Sequence, residues 1–393
     1  MDYFKAPITF KIKKVLRYVK IFGFYRTYIK ALGQQHMKSK KGFEGDRWIN
    51  PKGKNTGDIA IIGCGNFSFS TIAHYLRSST NGKIKFALDI DKPRARSLSE
   101  KYTVYCATTN YDLILADNAV KVIFIASNHH SHATFAVKAI QAGKKVHIEK
   151  PHAVTLGQLN QLVTAMSASP LSKVFLGFNR PRSSLFMKLL VAVEQQTGPI
   201  MVNWFVAGHE TADDHWYFSK HEGGRVLGNL CHWSDLTIHL VGLDKCFPCS
   251  ISPAVAVNSK SDFSVSISFA DGSQAGITFS AKGHTFEGVR EYLNVHKGNL
   301  LANLKDFGSL ELVTADRIKK VKSMYRDHGH KENVVNSYVQ SQDLSTSGED
   351  ISYVYATGLL VLKIKEAIES GTIVNCDMND LANQLQTPNS AGD

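Results

Sequence analysis

The sequence predicts an α/β protein in which a doubly wound parallel sheet is followed by a C-terminal α/β domain with an open, largely antiparallel sheet. Two patterns support this prediction. Between residues 57 and 178, short apolar runs alternate with helical stretches, as in parallel strands joined by right-handed helical crossovers. After residue 180, strands of alternating polar and apolar residues follow one another, notably across the turn Asp271-Gly272. With 393 residues, 43% of them hydrophobic, the chain can fill two such cores.

Four segments are predicted along the chain. They are a basic arm and linker (1–56), the parallel-sheet domain (57–178), a C-terminal domain (179–380) and a tail (381–393). In the first domain, strands are expected at 59–62, 84–88, 120–126, 145–148 and 174–177, with helices near 69–79, 92–102, 131–142 and 156–167. In the second, helices are expected near 183–196, 224–241 and 351–370, and strands at 264–270 and 274–280.

The arm carries most of the positive charge. Residues 1–41 contain eleven Lys and Arg but one acid, Asp2, whereas the rest of the chain holds 35 basic and 33 acidic residues. The main fold is therefore nearly neutral, and the overall charge of +12 gives no reason to expect a nucleic-acid partner. Apolar positions at helical spacing among the lysines predict a basic amphipathic helix over 9–32. This helix could lie on an anionic membrane surface or pack against the globular body, with residues 39–57 as a linker.

The chain shows no pattern of a membrane-spanning or secreted protein. No apolar run reaches the roughly 18 residues that a spanning helix needs, and basic residues interrupt the arm too often for a secretory signal. We therefore expect a cytoplasmic protein, with at most peripheral contact to the inner membrane surface. The six cysteines include one close pair, Cys246 and Cys249, without the second pair of a four-thiolate zinc site, so reduced thiols are expected.

A glycine-rich turn follows the first predicted strand and precedes a predicted helix. It reads Gly63-Cys64-Gly65-Asn66-Phe67-Ser68. The first Gly permits the tight turn, the second lets the backbone approach a pyrophosphate, and the positive end of the helix favours that charge. The next strand leads to Asp89, whose carboxylate can accept hydrogen bonds from an adenosine ribose and would repel the extra phosphate of NADP. These features predict a dinucleotide site of the Rossmann type that favours NAD, although Lys92, Arg94 and Arg96 leave NADP possible.

Two polar segments follow later strands, at the edge of a parallel sheet where ligands bind. The first, Ser127 to His132, contains three histidines in four residues, but its spacing is poor for one tetrahedral metal site. No carboxylate or thiolate stands nearby in the sequence, and we therefore predict no metal site. The second segment is Glu149-Lys150-Pro151. A lysine beside a bound cofactor can hydrogen-bond a substrate hydroxyl and help to move its proton.

Taken together, these segments resemble a known family. The resemblance, which covers roughly residues 57–370, rests on the glycine turn, Asp89 to Asp91, Ser127 to His132, Glu149-Lys150-Pro151 with Thr155, and Gly177-Phe178-Asn179-Arg180. Their order and spacing are those of the Gfo/Idh/MocA oxidoreductases, the family of glucose-fructose oxidoreductase and inositol dehydrogenase. The resemblance implies a nicotinamide cofactor, Lys150 in the active site, and a sugar, cyclitol or nucleotide sugar as substrate. It also implies that the open C-terminal sheet is the interface of a homo-oligomer.

The turn and the resemblance together indicate the site residues. The cofactor would be bound by Gly63, Cys64, Gly65, Asn66, Phe67, Asp89, Ser127, Asn128, His132, Glu149, Lys150 and Arg180. The catalytic pair would be Lys150 and His232, since His232 matches the histidine that usually exchanges a proton with the reacting oxygen, a task that suits imidazole. Further candidates for substrate contacts are Asn229 and Asp235 on the helix of His232, and Trp216, whose ring suits the apolar face of a pyranose.

The chain departs from the family at Gly228, where many members place an Asp one helical turn before this histidine. The surrounding sequence looks more like a branch found with bacterial surface-polysaccharide genes, in which the acid is also displaced. Three functions remain open: an NAD(P)-dependent sugar or nucleotide-sugar dehydrogenase, a cofactor-binding sensor similar to the yeast galactose repressor, and a redox-neutral NAD-dependent glycosidase. Because Lys150 and His232 are both retained, we favour the dehydrogenase.

Overall fold

The computed structural model describes residues 7–208, 214–255, 261–282, 288–379 and 381. These residues form an N-terminal helical arm and two sheets with helices packed against them. The predicted tail, apart from residue 381, lies outside the described residues. None of the described helices is both long and apolar enough to cross a membrane.

The arm consists of two helices, α1 (Ile8–Phe22) and α2 (Phe24–His36), rather than the single helix predicted over 9–32. Gly23 separates them with a φ of 82°, a conformation that glycine adopts without the steric penalty of a side chain. The two helices differ in burial, because α1 buries none of its residues. The residues that α2 buries are Thr27, Ile29, Gly33 and His36.

The first sheet has seven strands: β1 (Arg47–Ile49), β2 (Ile59–Ile62), β3 (Ile84–Leu88), β4 (Cys106–Thr108), β5 (Val122–Ile125), β6 (Lys145–Ile148) and β7 (Val174–Leu176). Five helices connect β2 to β7 in turn: α3 (Ala73–Ser79), α4 (Lys92–Tyr102), α5 (Asp112–Ala116), α6 (His132–Gln141) and α7 (Leu156–Ala168). The spatial order is β1-β4-β3-β2-β5-β6-β7, and all strands after β1 are parallel. The carboxyl ends of these parallel strands meet at one edge of the sheet, which is where α/β folds bind ligands.

Part of the segment predicted as a linker is the edge strand of this sheet. β1 pairs antiparallel with β4, with Trp48 opposite Ala107. Arg96 of α4 lies over the Trp48 ring at 4.6 Å and donates a hydrogen bond to the carbonyl of Gly42 at 2.7 Å. Residues 42–49 are therefore fixed to the sheet. The difference from the sequence prediction arises because this pairing is with residues far along the chain, which the local composition does not reveal.

The second sheet has nine strands: β8 (Ile200–Ala207), β9 (Cys249–Val255), β10 (Phe263–Phe269), β11 (Gln274–Ser280), β12 (Arg290–Lys297), β13 (Leu300–Lys305), β14 (Ser309–Val313), β15 (Ile318–Lys322) and β16 (Val374–Cys376). Their order is β15-β14-β13-β12-β8-β11-β10-β9-β16, and every neighbouring pair is antiparallel except β8 with β11. The remaining helices are α8 (Ser184–Glu194), α9 (Cys231–Val241), α10 (His330–Gln342) and α11 (Ile351–Ser370). The predicted fold class is confirmed.

One face of the second sheet is covered and the other is open. Burial alternates along β8, β10 and β13, as expected where one side of a strand packs on a core. Helices α8, α9 and α11 pack on the covered face, whereas α10 reaches back to α3 beside the first sheet. Helix α9 thereby faces the carboxyl edge of the first sheet, and the two sheets jointly enclose the candidate site.

Candidate active site

The first glycine turn follows β2, and its two glycines have different surroundings. Gly63 has a φ of 85°, and a Cβ added there would lie 2.5 Å from the carbonyl oxygen of Ala126 after β5. Only glycine fits such a close approach in this conformation. A Cβ added at Gly65 would have no atom within 4 Å, so the backbone of the turn borders open space at this point. The turn thus leaves room for a ligand group beside its second glycine.

Asp89, directly after β3, is tied to this turn. Its Oδ2 accepts a hydrogen bond from the backbone N–H of Cys64 at 2.7 Å, and its Oδ1 accepts one from Asp91 at 2.8 Å. Burial raises the pKa of the Asp89 carboxyl, although these two hydrogen bonds lower it. The carboxylate therefore fixes the path of the turn and retains further lone pairs for a ligand.

The three basic residues after Asp91 are held by neighbouring groups. Arg94 pairs with Asp91 at 2.9 Å, and Lys92 lies 5.6 Å above the ring of Phe43. Arg96 is held by Trp48 and by the Gly42 carbonyl. Residues 42–49, part of the segment predicted as a linker, thus contact Lys92 and Arg96. These are two of the three cations that could have bound the additional phosphate of NADP.

Helix α2 of the arm covers the outer side of the first glycine turn. His36 reaches the Cys64 carbonyl oxygen through Nε2 at 2.7 Å, and its ring stacks on Phe69 at 4.2 Å. Gly33 packs so closely on Asn66 that an added Cβ would overlap the Asn66 amide oxygen. That oxygen is buried and has no hydrogen-bond partner among the described residues. This contact has no local signal in the sequence, because it joins residues about thirty positions apart.

The segment after β5 is held by Glu222, which the sequence analysis did not single out. The two carboxylate oxygens of Glu222 accept hydrogen bonds from the Asn128 side-chain amide at 2.6 Å and from the His130 backbone at 3.3 Å. Its carbonyl oxygen lies 3.0 Å from Nδ1 of His129. A signal was present in the sequence, since Glu222 directly precedes the turn Gly223-Gly224 that leads to His232. Asn128 was predicted to bind the cofactor. Its side-chain N–H donates to Glu222, which follows β8 of the second sheet.

His132 joins the two polar segments. Its ring nitrogens lie 2.8 Å from the carbonyl oxygen of Pro151 and 3.1 Å from that of Ser127. The side chain is buried, and burial lowers its pKa, whereas the contacts with these two carbonyl oxygens raise it. His132 therefore fixes the spacing between Ser127 and Lys150. Glu149 is also buried, with its carboxylate 3.3 Å from Nε2 of His147.

Lys150 extends from the end of β6 to residues 223–228, which begin with Gly223-Gly224, lead towards α9 and are called here the second glycine turn. Its Nζ donates a hydrogen bond to the carbonyl oxygen of Gly228 at 2.8 Å. Gly228 lies in a π-helical turn, Val226–Leu230, in which the Cys231 N–H reaches back to the Val226 carbonyl oxygen. Such turns are rare and are frequent at functional sites. The ammonium group of Lys150 is thus held by a backbone dipole at the position where many family members carry an Asp.

Gly228 has no room for that Asp. A Cβ added there would lie 2.9 Å from the ring of Tyr217 and 3.1 Å from that of His129. Trp216 stands in the same cluster, with its ring 4.7 Å from that of His129. The rings of Tyr217 and His129 therefore occupy the space of the missing carboxylate, and the half-exposed Trp216 packs on His129.

His232 lies one turn after Gly228, in the first turn of α9. Its side chain is buried, and its Nδ1 has no hydrogen-bond partner among the described residues. Burial and the positive charges of Arg180 and Lys150 hold the pKa of His232 well below its usual range. The imidazole is therefore neutral near neutral pH. Asn229, beside it, also has a buried amide oxygen without a partner in the described chain.

Arg180 and Asp235 lie behind His232 rather than in contact with it. Arg180 pairs with Glu291 of β12 at 2.6 Å, and the Trp233 indole N–H donates to the same carboxylate oxygen at 2.9 Å. Although burial raises the pKa of Glu291, Arg180 and His328 together lower it to about 2. Asp235 accepts hydrogen bonds from Tyr353 at 2.6 Å and from Thr357 at 3.2 Å, on α11. It therefore fixes α9 to α11 and does not orient the His232 ring.

The parallel strands of the first sheet, β2 to β7, and the helices that connect them match a known protein family. Residues 58–177 match the model described as the oxidoreductase family with an NAD-binding Rossmann fold, Gfo/Idh/MocA. Over these residues the chain is similar to the NAD-binding Rossmann domain of the Gfo/Idh/MocA family. The match confirms the predicted family and the NAD-binding type of the Rossmann fold, and it begins one residue before β2.

Sequence relatives of the Gfo/Idh/MocA segment include inositol dehydrogenases. The chain is 29% identical over 149 residues to inositol 2-dehydrogenase of Ralstonia nicotianae, which covers 37% of this chain and 44% of that protein. It is 28% identical over 163 residues to inositol 2-dehydrogenase/D-chiro-inositol 3-dehydrogenase of Shouchella clausii, covering 40% and 46%. The chain thus spans less than half the length of these curated relatives.

Solved structures share the fold over most of the chain. An oxidoreductase domain protein from Kribbella flavida superposes with a TM-score of 0.71 at 14% identity, covering 83% of this chain and all of that one. Levoglucosan dehydrogenase in complex with NADH gives 0.69 at 18% identity, covering 81% and 99%. The fold likeness therefore extends beyond the Gfo/Idh/MocA segment into the second sheet.

Proposed function

We propose that this chain is an NAD(P)-dependent oxidoreductase that moves a hydride between a nicotinamide and a hydroxyl- or keto-bearing carbon of a sugar, cyclitol or nucleotide sugar. The observation that carries the proposal is the contact of Lys150 with Gly228, which joins the first sheet to the helix of His232. Lys150 and His232, two groups able to exchange protons, thereby lie near each other at the carboxyl edge of an NAD-binding fold.

The residues of the first glycine turn fit a dinucleotide. The open space beside Gly65 accommodates a pyrophosphate on the backbone N–H groups that open the following helix, and Asp89 offers lone pairs to a ribose. Gly63 to Phe67, Asp89 and Ser127 would hold the cofactor directly. Arg180, His132, Asn128 and Glu149 would act as positioning residues, because their polar groups already contact protein. The engagement of Arg94 by Asp91 and of Arg96 by Trp48 favours NAD over NADP.

The proton has a defined route. A bound nicotinamide would accept or supply the hydride. When a carbinol is oxidised, its hydroxyl proton passes to the neutral imidazole of His232, and the ammonium of Lys150 stabilises the negative charge that develops on the oxygen. In the reverse direction the same groups return the proton. The half-exposed ring of Trp216 would stack on the apolar face of the sugar ring.

Nicotinamide absorbance tests this function. The purified chain is incubated with NAD or NADP, and with the reduced forms, across a panel of free and nucleotide-linked sugars and cyclitols. Lys150→Ala should lower turnover by about 10²–10⁴-fold while the Kd for NAD stays unchanged. Lys138→Ala, on the exposed end of α6, is the matched control and should behave as wild type. Wild-type turnover in Lys150→Ala would remove Lys150 from the mechanism.

The same experiment separates the two other functions. Cofactor binding without turnover on any member of the panel would indicate a sensor. Transient reduction of bound NAD without net consumption would indicate a redox-neutral glycosidase. A sensor and a redox-neutral glycosidase would both leave the nicotinamide absorbance without net change, whereas a dehydrogenase would change it. The net change in absorbance therefore separates the dehydrogenase from the other two functions.

The open face of the second sheet is proposed as the contact with a second copy of this chain. A concavity of about 510 Å³ lies on it, with exposed Met201 and Leu301 and rows of Asn and Ser around them. No charged residue lines this concavity in the described part of the chain, so identical copies would not repel each other there. Phe205→Asp should lower the mass measured by light scattering, whereas Leu344→Asp, exposed elsewhere, should not.

Helix α1 is proposed as a contact with an anionic membrane surface. Ile8, Ile12, Val15 and Leu16 form an exposed apolar stripe on one helix face, and five Lys and Arg but no acid lie within α1. Ile12→Asp with Leu16→Asp should abolish sedimentation with phosphatidylglycerol vesicles. Val339→Asp, on the exposed face of α10, is the control. Equal sedimentation of all three proteins would contradict this contact.

A further inference from the structure

A cavity of about 240 Å³ lies where the arm, the first sheet and the second sheet meet. The arm provides Phe22, Arg26 and Lys30, α3 provides Tyr75, and the chain from 325 to 332 completes the wall. No residue of the glycine turn 63–68 lines this cavity. It is therefore separate from the proposed pyrophosphate position.

Three cations converge on the cavity. The guanidinium of Arg26 is fixed on α3 by the Ser70 carbonyl and by Thr71 Oγ1 at 2.8 Å. Arg326 lies 5.7 Å above the Phe22 ring and 3.5 Å from Asp306. Lys30 stands between these two groups, and its ammonium lies 4.1 Å above the same Phe22 ring. The aromatic ring thus holds two of the cations in place.

Lys30 meets no carboxylate in the described part of the chain. Its ammonium lies over the rings of Phe22 and Tyr18, and burial together with Arg26 and Arg326 lowers the pKa of Lys30 to about 8. Asp327 lines the cavity, but its carboxylate caps the backbone of Gly329 at 2.8 Å and Ser184 at 3.4 Å. Glu332 is exposed at the rim, opposite Lys331. Lys30 is therefore the cation of this cavity that has no carboxylate partner among the described residues.

The cavity shares a wall with the candidate active site. His330 lines the cavity, and its ring lies 5.8 Å from that of Phe67 in the glycine turn and 5.9 Å from that of His328. His328 lies 3.1 Å from Glu291, the carboxylate that holds Arg180 behind His232. His328, which also lines the cavity, thus links it to the Glu291–Arg180 pair.

We propose that this cavity binds a phosphate or diphosphate group through Lys30, Arg26 and Arg326, and that the group belongs to the substrate. Lys30 is a lysine without an anionic partner in the described part of the chain, and the positive charges of Arg26 and Arg326 beside it favour an anion there. The second half of the proposal rests on the proposed oxidoreductase function. It assigns the substrate to the phosphorylated or nucleotide-linked sugars rather than to the neutral sugars and cyclitols.

Calorimetric titration with inorganic pyrophosphate tests the site without turnover. The chain is first saturated with NAD, so that the glycine turn is not available to the titrant. Wild type should bind pyrophosphate saturably, and Lys30→Met should bind it at least about tenfold more weakly. Lys13→Met, an exposed lysine on α1, should match wild type, and Lys30→Arg should retain most of the affinity. Absent binding, or equal binding by Lys30→Met and Lys13→Met, would overturn the site.

A second measurement uses the wild-type chain alone. Lys30 has a lowered pKa and faces the cavity, so reductive methylation should modify it readily. Pyrophosphate should protect Lys30, and not Lys13, when the modified chain is analysed by mass spectrometry. Modification of Lys30 that pyrophosphate does not slow would contradict the proposal even if Lys30→Met fails to fold.

A separate experiment decides whether the phosphate group belongs to the substrate or to a lipid. With a reactive sugar phosphate or nucleotide sugar, Lys30→Met should raise KM at least tenfold and leave kcat nearly unchanged, while the KM of a neutral sugar stays the same. Sedimentation with phosphatidic acid vesicles that requires Lys30 and is displaced by pyrophosphate would assign the group to a lipid and overturn the substrate assignment. A chain that binds pyrophosphate but transfers no hydride would leave the site standing and remove the proposed function.

Discussion

The two glycine turns of this chain are built alike but are held by different parts of the molecule. Gly63 and Gly223 have φ values of 85° and 78°, and each turn leads into a π-helical turn before the helix continues as α. The first turn is fixed by Asp89 and by His36 of the arm. The second turn receives the ammonium of Lys150 on the Gly228 carbonyl. The first turn, which is assigned to cofactor binding, is therefore held by Asp89 and His36. The second turn, which is assigned to the reaction, is held by the proposed catalytic residue Lys150.

This difference predicts where substitutions act. Changes in the first turn should alter stability and cofactor affinity, and changes in the second should alter turnover. The following variants test that division, beginning with the largest expected effect.

Gly63→Ala should destabilise the fold by at least about 3 kcal/mol, because a side chain at this φ is strained and its Cβ would meet the Ala126 carbonyl at 2.5 Å. Denaturant unfolding measures the loss. Gly65→Ala is the matched control, since its Cβ has no atom within 4 Å and stability should stay unchanged. Its Kd for NAD should nevertheless rise. A Gly63→Ala chain as stable as wild type would show that the turn is not held by packing.

Gly228→Ala should lower kcat by about 100-fold and leave the Kd for NAD unchanged. The added methyl would press on Tyr217 and His129 and displace the carbonyl that holds Lys150. Gly157→Ala, in the first turn of α7, has its nearest neighbour at 4.0 Å and should not change kcat. If Gly228→Ala lost cofactor affinity instead, the two turns would not be functionally distinct.

His36→Ala should destabilise the chain by about 1–2 kcal/mol through the lost hydrogen bond to Cys64 and the lost stacking on Phe69. Thermal unfolding at fixed pH measures this difference. Tyr28→Ala, which removes an exposed ring from the same helix, should leave Tm unchanged. Equal Tm values for both variants would mean that the arm does not stabilise the first turn.

Asp89→Ala should raise the Kd for NAD about tenfold more than the Kd for NADP, because one ribose contact is lost and the repulsion of an additional phosphate is relieved. Fluorescence titration with both cofactors gives the ratio. Asp117→Ala, at the other end of the same sheet, is the control for general electrostatic effects. Equal losses for both cofactors would remove the ribose role of Asp89.

Asp235→Asn should change how stability depends on pH. Burial raises the pKa of Asp235 to about 7, although the hydrogen bonds from Tyr353 and Thr357 lower it. Because the folded pKa exceeds the usual 3.8, the contribution of Asp235 is fully present below about pH 4 and is lost as pH rises through 7. The Tm of wild type should therefore fall from pH 5 to pH 8 more than that of Asp235→Asn. Parallel Tm curves would contradict the raised pKa.

The sequence predicted most accurately those elements whose local pattern agrees with their burial. The bounds expected for β2, β3, α4 and α11 are those of the structure, since each combines a clear period with clear ends. The second sheet's hairpin at Asp271-Gly272 was equally clear. The arm was predicted less accurately. A period of 3.6 residues indicates a helix, but it does not indicate the break at Gly23 or the surface that covers each half.

The candidate site shows the same limit. Gly63, Asp89, Lys150 and His232 were identified from motifs, each of which lies within a few residues of chain. Glu222, Glu291 and His36 were not, because their roles depend on partners between 28 and 111 positions away. Asp235 was expected beside His232, but helix α11 takes its hydrogen bonds. Residues within a short motif could thus be identified from the sequence, whereas the residues that contact them from distant parts of the chain could not.

The packing of Gly33 on Asn66 means that the unit that folds cooperatively is larger than the unit that the family model recognises. The family match starts at residue 58, yet a chain cut there would leave the Phe69 ring and the Cys64 carbonyl without their partners on α2. A larger residue at 33 would require a smaller one at 66. In descendants of this chain the arm and the glycine turn should therefore change together, as two halves of one inherited interface.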